Sequence, residues 1–232
     1  MKKFELELDV LQQKLADMGR VTVEMVGVAV SAVADRSVDL SDKAAGLESQ
    51  VNQMQVDIDR EAMRLLTVYG PVASSLREIL VMTHVTAQLE RICDQVVNVC
   101  ESLQMMKPGT EPVAFEHIRS MSELAAAMVE DSILAYSGSD TALAEATRAQ
   151  DDMVDSLNAL VVQELLSDDV VREVVAGRQD VKDSLAEILI ARHFERIADQ
   201  AVNICKEVVF MVRGDDVRHR AKVKRDQPSA AE

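Results

Sequence analysis

Residues 89–100, LERICDQVVNVC, align without a gap to residues 194–205, FERIADQAVNIC, with eight of twelve positions identical. Within the first stretch Leu89, Ile92, Val96, Val99 and Leu103 recur at spacings of three and four, which lays one apolar seam along a helix. Phe194, Ile197, Ala201, Ile204 and Val208 repeat the seam. Cys93, Cys100 and Cys205 lie on or beside it, so reduced, packed thiols are expected rather than disulfides. The offset from Glu90 to Glu195 is 105 residues. Solenoid repeats run to roughly 20–50 residues, so the offset describes a duplicated bundle.

Composition agrees. The 232 residues include no Trp, four Phe and two Tyr, which suits helix bundles better than sheets. Glycine and proline mark helix ends at SDKAAG (41–46), Gly70-Pro71, KPGTEP (107–112), SGSD (137–140), Gly177 and Gly214. The fold class read from this is all-α, two tandem three-helix bundles with six long helices. They are expected near 4–39, 42–68, 72–106, 112–137, 140–166 and 178–212, with a short piece near 168–176. The first repeat then covers 1–107, the second 111–213, and a basic tail follows over 214–232.

A net charge of −15 excludes a nucleic-acid footprint and suits cations or basic partners. The chain has no apolar run long enough to span a membrane, and MKKFELELDV turns acidic before a signal-peptide core forms, so a cytosolic location is expected. H-E-x-x-H, P-loop and G-x-G-x-x-G motifs are absent, and Glu-x-x-His pairs of the ferritin type do not occur, so no enzyme is expected.

Glu90, Asp94 and Asn98 follow at i, i+4 and i+8 and form one ridge beside the seam; Glu195, Asp199 and Asn203 reproduce it. Like charges at i, i+4 cost an exposed helix roughly 0.2–0.5 kcal/mol. The doubled pair therefore calls for a positive charge, either a basic side chain such as Arg77 or Lys182 or a metal ion. The middle helix of each half supplies a facing ridge: Glu48, Asn52, Gln55 and Asp59 in the first, Asp151, Asp155 and Asn158 in the second. Oxygen donors dominate, which favours Mg²⁺, Mn²⁺ or iron over a thiolate zinc site. His193 points to another side of its helix and reads as a surface or interface residue.

ERICDQVVNVC and ERIADQAVNIC resemble the E-R-I-G-D-x-x-x-N-I signature that occurs once in each half of the PhoU family of bacterial phosphate-signalling regulators. YGPVASSLREIL (69–80), LIARHFERIAD (189–199) and MGRVTVEMV (18–26) extend the resemblance over almost the whole chain. It implies a homodimeric adaptor at the cytoplasmic face of the membrane. Such an adaptor couples the ATPase of a phosphate ABC transporter to a sensor histidine kinase and restrains both when phosphate is plentiful. It also implies metal binding, with Fe, Mn, Mg or Zn as cofactor, at Glu48, Asp59, Glu90, Asp94, Asp151, Asp155, Glu195 and Asp199. Asn98, Asn203, Arg91 and Arg196 stand in supporting positions. Cys93 and Ala198 replace the signature glycine, Asn52 and Gln55 are neutral, and Val162 matches Asp59. The second groove keeps both acids of its middle-helix pair and is the better metal candidate by charge count. An accessory role to a low-affinity phosphate permease and a carboxylate-bridged metalloenzyme are the competing readings.

Overall fold

The computed structural model describes residues 2–35, 41–107, 112–177 and 180–214. Among them the chain forms eight helices and no strand: α1 (Lys2–Asp35), α2 (Ser41–Tyr69), α3 (Ala73–Gln104), α4 (Phe115–Gly138), α5 (Thr141–Arg148), α6 (Asp151–Leu165), α7 (Asp168–Val175) and α8 (Val181–Arg213). The all-α class holds, and Gly70, Gly138, Gly177 and Gly214 fall at or just past helix ends, while Gly46 lies inside α2. Gly70 ends α2 with φ +52°, and Gly214 ends α8 with φ +77°. The basic tail expected over 214–232 lies outside the described residues apart from Gly214.

One expectation fails. The single helix expected over 140–166 is two, α5 and α6, divided at Ala149–Gln150. There the backbone tightens to i−3 bonds, Gln150 N–H to Thr147 O at 3.0 Å and Met153 N–H to Gln150 O at 3.0 Å. Asp151 and Asp152 then occupy the first turn of α6, where their charge complements the new helix N-terminus.

α1, α2 and α3 pack on one another, as do α4, α5, α6 and α8. The two halves lie side by side, with α3 on α8 and α1 on α4. Contacts along α3 and α8 run in opposite directions. Arg77 Nε donates to Met211 O at 2.9 Å, His84 meets Glu207 at 3.3 Å, Asn203 donates to Gln88 at 3.4 Å, and His193 Nδ1 meets Gln95 at 3.0 Å. All ten seam residues are buried, and one continuous apolar core draws on both halves.

The approach to α4 is clasped by the start of α8. Fully buried Glu187 accepts the backbone N–H groups of Val113 at 3.0 Å and Ala114 at 2.7 Å, and Asp183 accepts that of Lys107 at 2.9 Å. Two carboxylates thereby supply acceptors for backbone donors that the junction leaves without helical partners. The three cysteines are free and buried, and burial pushes the Cys93 and Cys205 thiols up to about 12. Among the described residues no helix is long and apolar enough to cross a membrane.

Candidate functional site: two acidic grooves

The seams bury one stripe of α3 and one of α8; beside them Glu90, Asp94, Asn98, Glu195 and Asn203 are half-buried and Asp199 is exposed, with Glu90 and Asp94 near α2 and Glu195 near α6. In the first groove the Glu48 carboxylate of α2 acts on both Glu90 and Asp94 of α3. Loss of solvation raises the Glu90 pKa most, followed by repulsion from Asp94, with Glu48 adding to it. Loss of solvation and then Glu48 raise Asp94. Asp59, further along α2, is raised by burial alone. Asn52 donates to Glu48 Oε1 at 3.3 Å, while the buried oxygens Asn52 Oδ1 and Asp59 Oδ1 receive no hydrogen bond. Gln55 and Asn98 are half-buried. The groove thus holds acceptors in excess of donors, and the cation acting on Glu90 is its exposed neighbour Arg91.

The second groove has the same plan with different balance. Asp151 of α6 is buried and Asp155 exposed. Asp199 of α8 still reaches solvent, yet partial burial raises its pKa, with Asp151, Glu195 and Asp155 adding repulsion. Glu195 is already bonded: Asn158 Nδ2 donates to its Oε2 at 2.6 Å and Arg192 pairs with the same oxygen. The Asp199 and Asp155 carboxylates also act on the Arg192 guanidinium and help hold its charge. Lys206 lowers Asp199 somewhat and donates to Asn203 Oδ1 at 3.1 Å.

Several placements differ from the sequence reading. Arg77 and Lys182 are not the counter-charges of the ridges: Arg77 holds the C-terminal end of α8, and Lys182 lies beside Asp180 at the start of α8. Arg192 is the counter-charge of the second ridge. Its position three residues before Glu195 on one helix was the available signal. Asn203 turns its amide to Gln88 of α3, across the halves. Exposed Arg196 depresses His193, whose pKa is lowered first by burial at the same interface. Sequence reasoning also missed Asp183 and Glu187, whose role depends on backbone from distant parts of the chain.

The donor chemistry of both grooves fits a hard cation, since every acidic candidate offers carboxylate oxygen. Among the described residues, however, no three His, Cys, Asp or Glu side chains stand together as a ligand set. A cation would have to draw these carboxylates together.

The PhoU domain model matches residues 15–103 and 118–208, one match in each half. The chain is 30% identical over 219 residues to the phosphate-specific transport system accessory protein PhoU homolog of Pseudomonas putida, covering 94% of this chain and 84% of that protein. To the Pseudomonas aeruginosa homolog it is 31% identical, covering 94% and 88%. To the Escherichia coli accessory protein PhoU it is 26% identical over 218 residues, again covering 94% and 88%. The crystal structure of PhoU from Pseudomonas aeruginosa superposes with a TM-score of 0.84 at 30% identity, covering 91% of this chain and all of that one. The phosphate transport system regulatory protein PhoU from Streptococcus pneumoniae has the same fold, with a TM-score of 0.82 at 23% identity over 92% and 99% of the two chains. With a domain match in each repeat and relatives that align over nearly its full length, the chain belongs to the PhoU family.

Proposed function

We propose that this chain is a regulatory adaptor of phosphate uptake, with no turnover of its own, which links a phosphate ABC transporter to a sensor histidine kinase and restrains signalling when phosphate is plentiful. The observation that carries the reading is the pairing of two PhoU domains in one chain, shared over nearly full length with relatives named as accessory proteins of the phosphate-specific transport system. Its partners in this reading are the transporter ATPase, the kinase and a second copy of the chain. It works in the cytoplasm and meets the membrane through those partners. Deleting the gene is expected to leave phosphate-starvation genes switched on in phosphate-rich medium. Normal repression without the protein would remove the adaptor reading.

Metal binding at the grooves belongs to the same proposal. Glu48, Asp59, Glu90 and Asp94 would hold an ion in the first, and Asp151, Asp155, Glu195 and Asp199 in the second. A divalent or ferric ion would supply the positive charge that offsets the repulsion within each ridge. What supports this is the excess of acceptors, most directly the two buried oxygens of Asn52 and Asp59 that no donor reaches.

A further inference from the structure

Away from the acidic ridges, a cleft of about 370 Å³ opens where the two halves meet, a volume within the roughly 300–1,000 Å³ of small-ligand pockets. Four helices wall it: Asp9 and Gln12 of α1, Glu78 of α3, Tyr136 and Ser137 of α4, and Met211 of α8. The wall carries two carboxylates and, among the described residues, no lysine or arginine. Gln12 Nε2 donates to Glu78 Oε1, so one of the acids is positioned from the neighbouring helix. Burial and then the Glu78 charge raise the Tyr136 pKa, which keeps its phenol neutral. The cleft thus gathers hydrogen-bonding side chains around two negative charges and has no counter-cation in its own wall.

The described residues end at Gly214, beside this cleft. Met211 of the wall precedes Gly214 by three residues, Arg77 Nε holds Met211 O at 2.9 Å, and a Cβ on Gly214 would lie 3.0 Å from Nη1 of the same arginine, which is the sequence neighbour of Glu78. Residues 217–225, VRHRAKVKR, contain five arginines or lysines and no acid, in a chain whose net charge is −15. Arg218 follows Gly214 by four residues, a reach of up to roughly 13 Å at about 3.3 Å per residue. We propose that the cleft is the docking site of the chain's own basic segment 217–225, whose arginines pair with Asp9 and Glu78. A guanidinium meets a carboxylate through two parallel N–H···O bonds, and a tether of a few residues sets an effective concentration on the order of millimolar. Since α1 and α3 belong to the first repeat and α4 and α8 to the second, the docked segment bridges the halves and occupies the cleft against any other basic segment. Neither the metal reading nor the adaptor reading is needed for this docking.

The test is limited trypsin digestion of the full chain, with loss of the tail followed by intact mass and folding checked by circular dichroism. Trypsin cuts after Arg218, Arg220, Lys222, Lys224 or Arg225 when the segment is out of the cleft, so the cutting rate reports the undocked fraction. At low salt the tail of the double variant Asp9→Asn, Glu78→Gln should be cut several-fold faster than that of wild type. Salt at about 0.5 M should bring wild type to the variant's rate, because exposed charges are screened. Asp9→Asn alone, at an exposed position, should show a smaller effect of the same sign and serves if the double variant folds poorly. Glu5→Gln removes an exposed acid of α1 outside the cleft and should leave the wild-type rate unchanged. Equal rates in wild type and both cleft variants would overturn the proposal, as would protection that survives high salt or falls equally in Glu5→Gln. Protection that fades on dilution would assign the segment to a second copy's cleft and overturn docking within one chain.

Discussion

Asp94 shows how a single carboxylate separates competing accounts of the first groove. Burial and Glu48 raise its pKa, so the fold favours its protonated form. The sign for stability follows from linkage: the contribution is fully present below the ordinary carboxylate pKa of about 3.9 and is lost as pH climbs through the raised value. In chelator, the melting temperature of wild type should therefore fall more between pH 4.5 and 7 than that of Asp94→Asn. At pH 7 the variant should match wild type or exceed it by about 0.2–0.5 kcal/mol, the cost of a like-charge helix pair. With Mn²⁺ at one hundred times its Kd, wild type should gain about 2.7 kcal/mol and the variant much less. A variant less stable than wild type in chelator would show that Asp94 is held by a donor and that the repulsion argument fails. The ridge spacing was legible at this scale, because 3.6-residue periodicity decides which side chains are neighbours on one helix. The direction of Asn203 was not, since Gln88 of another helix receives its amide.

Helix ends were legible where backbone chemistry leaves few choices and illegible where it does not. Gly214 takes a left-handed conformation, and a Cβ there would lie 3.0 Å from Arg77 Nη1, so the residue type marks the end of α8 twice over. The division between α5 and α6 carries no glycine or proline, and Ala149 and Gln150 both keep right-handed dihedrals. Periodicity continues through such a junction almost unchanged, so a single helix was the natural expectation. The start of α5, by contrast, is fixed by Asp140, whose Oδ1 accepts from Ala142 N–H at 2.9 Å and Leu143 N–H at 3.0 Å. Asp140→Ala is expected to cost about 1 kcal/mol in denaturant unfolding, with Asp140→Asn close to wild type. An alanine variant as stable as wild type would mean that packing of α5 on α4 and α8, rather than its cap, sets where the helix begins.

At the scale of the whole molecule, duplication was legible in sequence while the side-by-side packing of the halves was not, because a linear repeat says nothing of which faces meet. The contact between α1 and α4 turns on Gly19, buried on α1, where a Cβ would lie 3.0 Å from Ile133 Cγ2. A glycine in mid-helix costs roughly 0.5–1 kcal/mol relative to alanine, so its presence is explained by the close approach of the opposite half. Gly19→Leu should force Ile133 and the helix backbones apart and destabilise by about 1–3 kcal/mol, as overpacking of a dense interface does. Ile133→Ala alone should also destabilise, by loss of packing. The double variant should be more stable than the sum of the two losses implies, since the shortened side chain makes room for the leucine. Because one apolar core spans both halves, calorimetry of wild type should show a single cooperative transition. Additive losses in the double variant would show that Gly19 and Ile133 do not meet. Two resolved transitions would show that each half melts alone, and the α3–α8 and α1–α4 contacts would then be too weak to couple them.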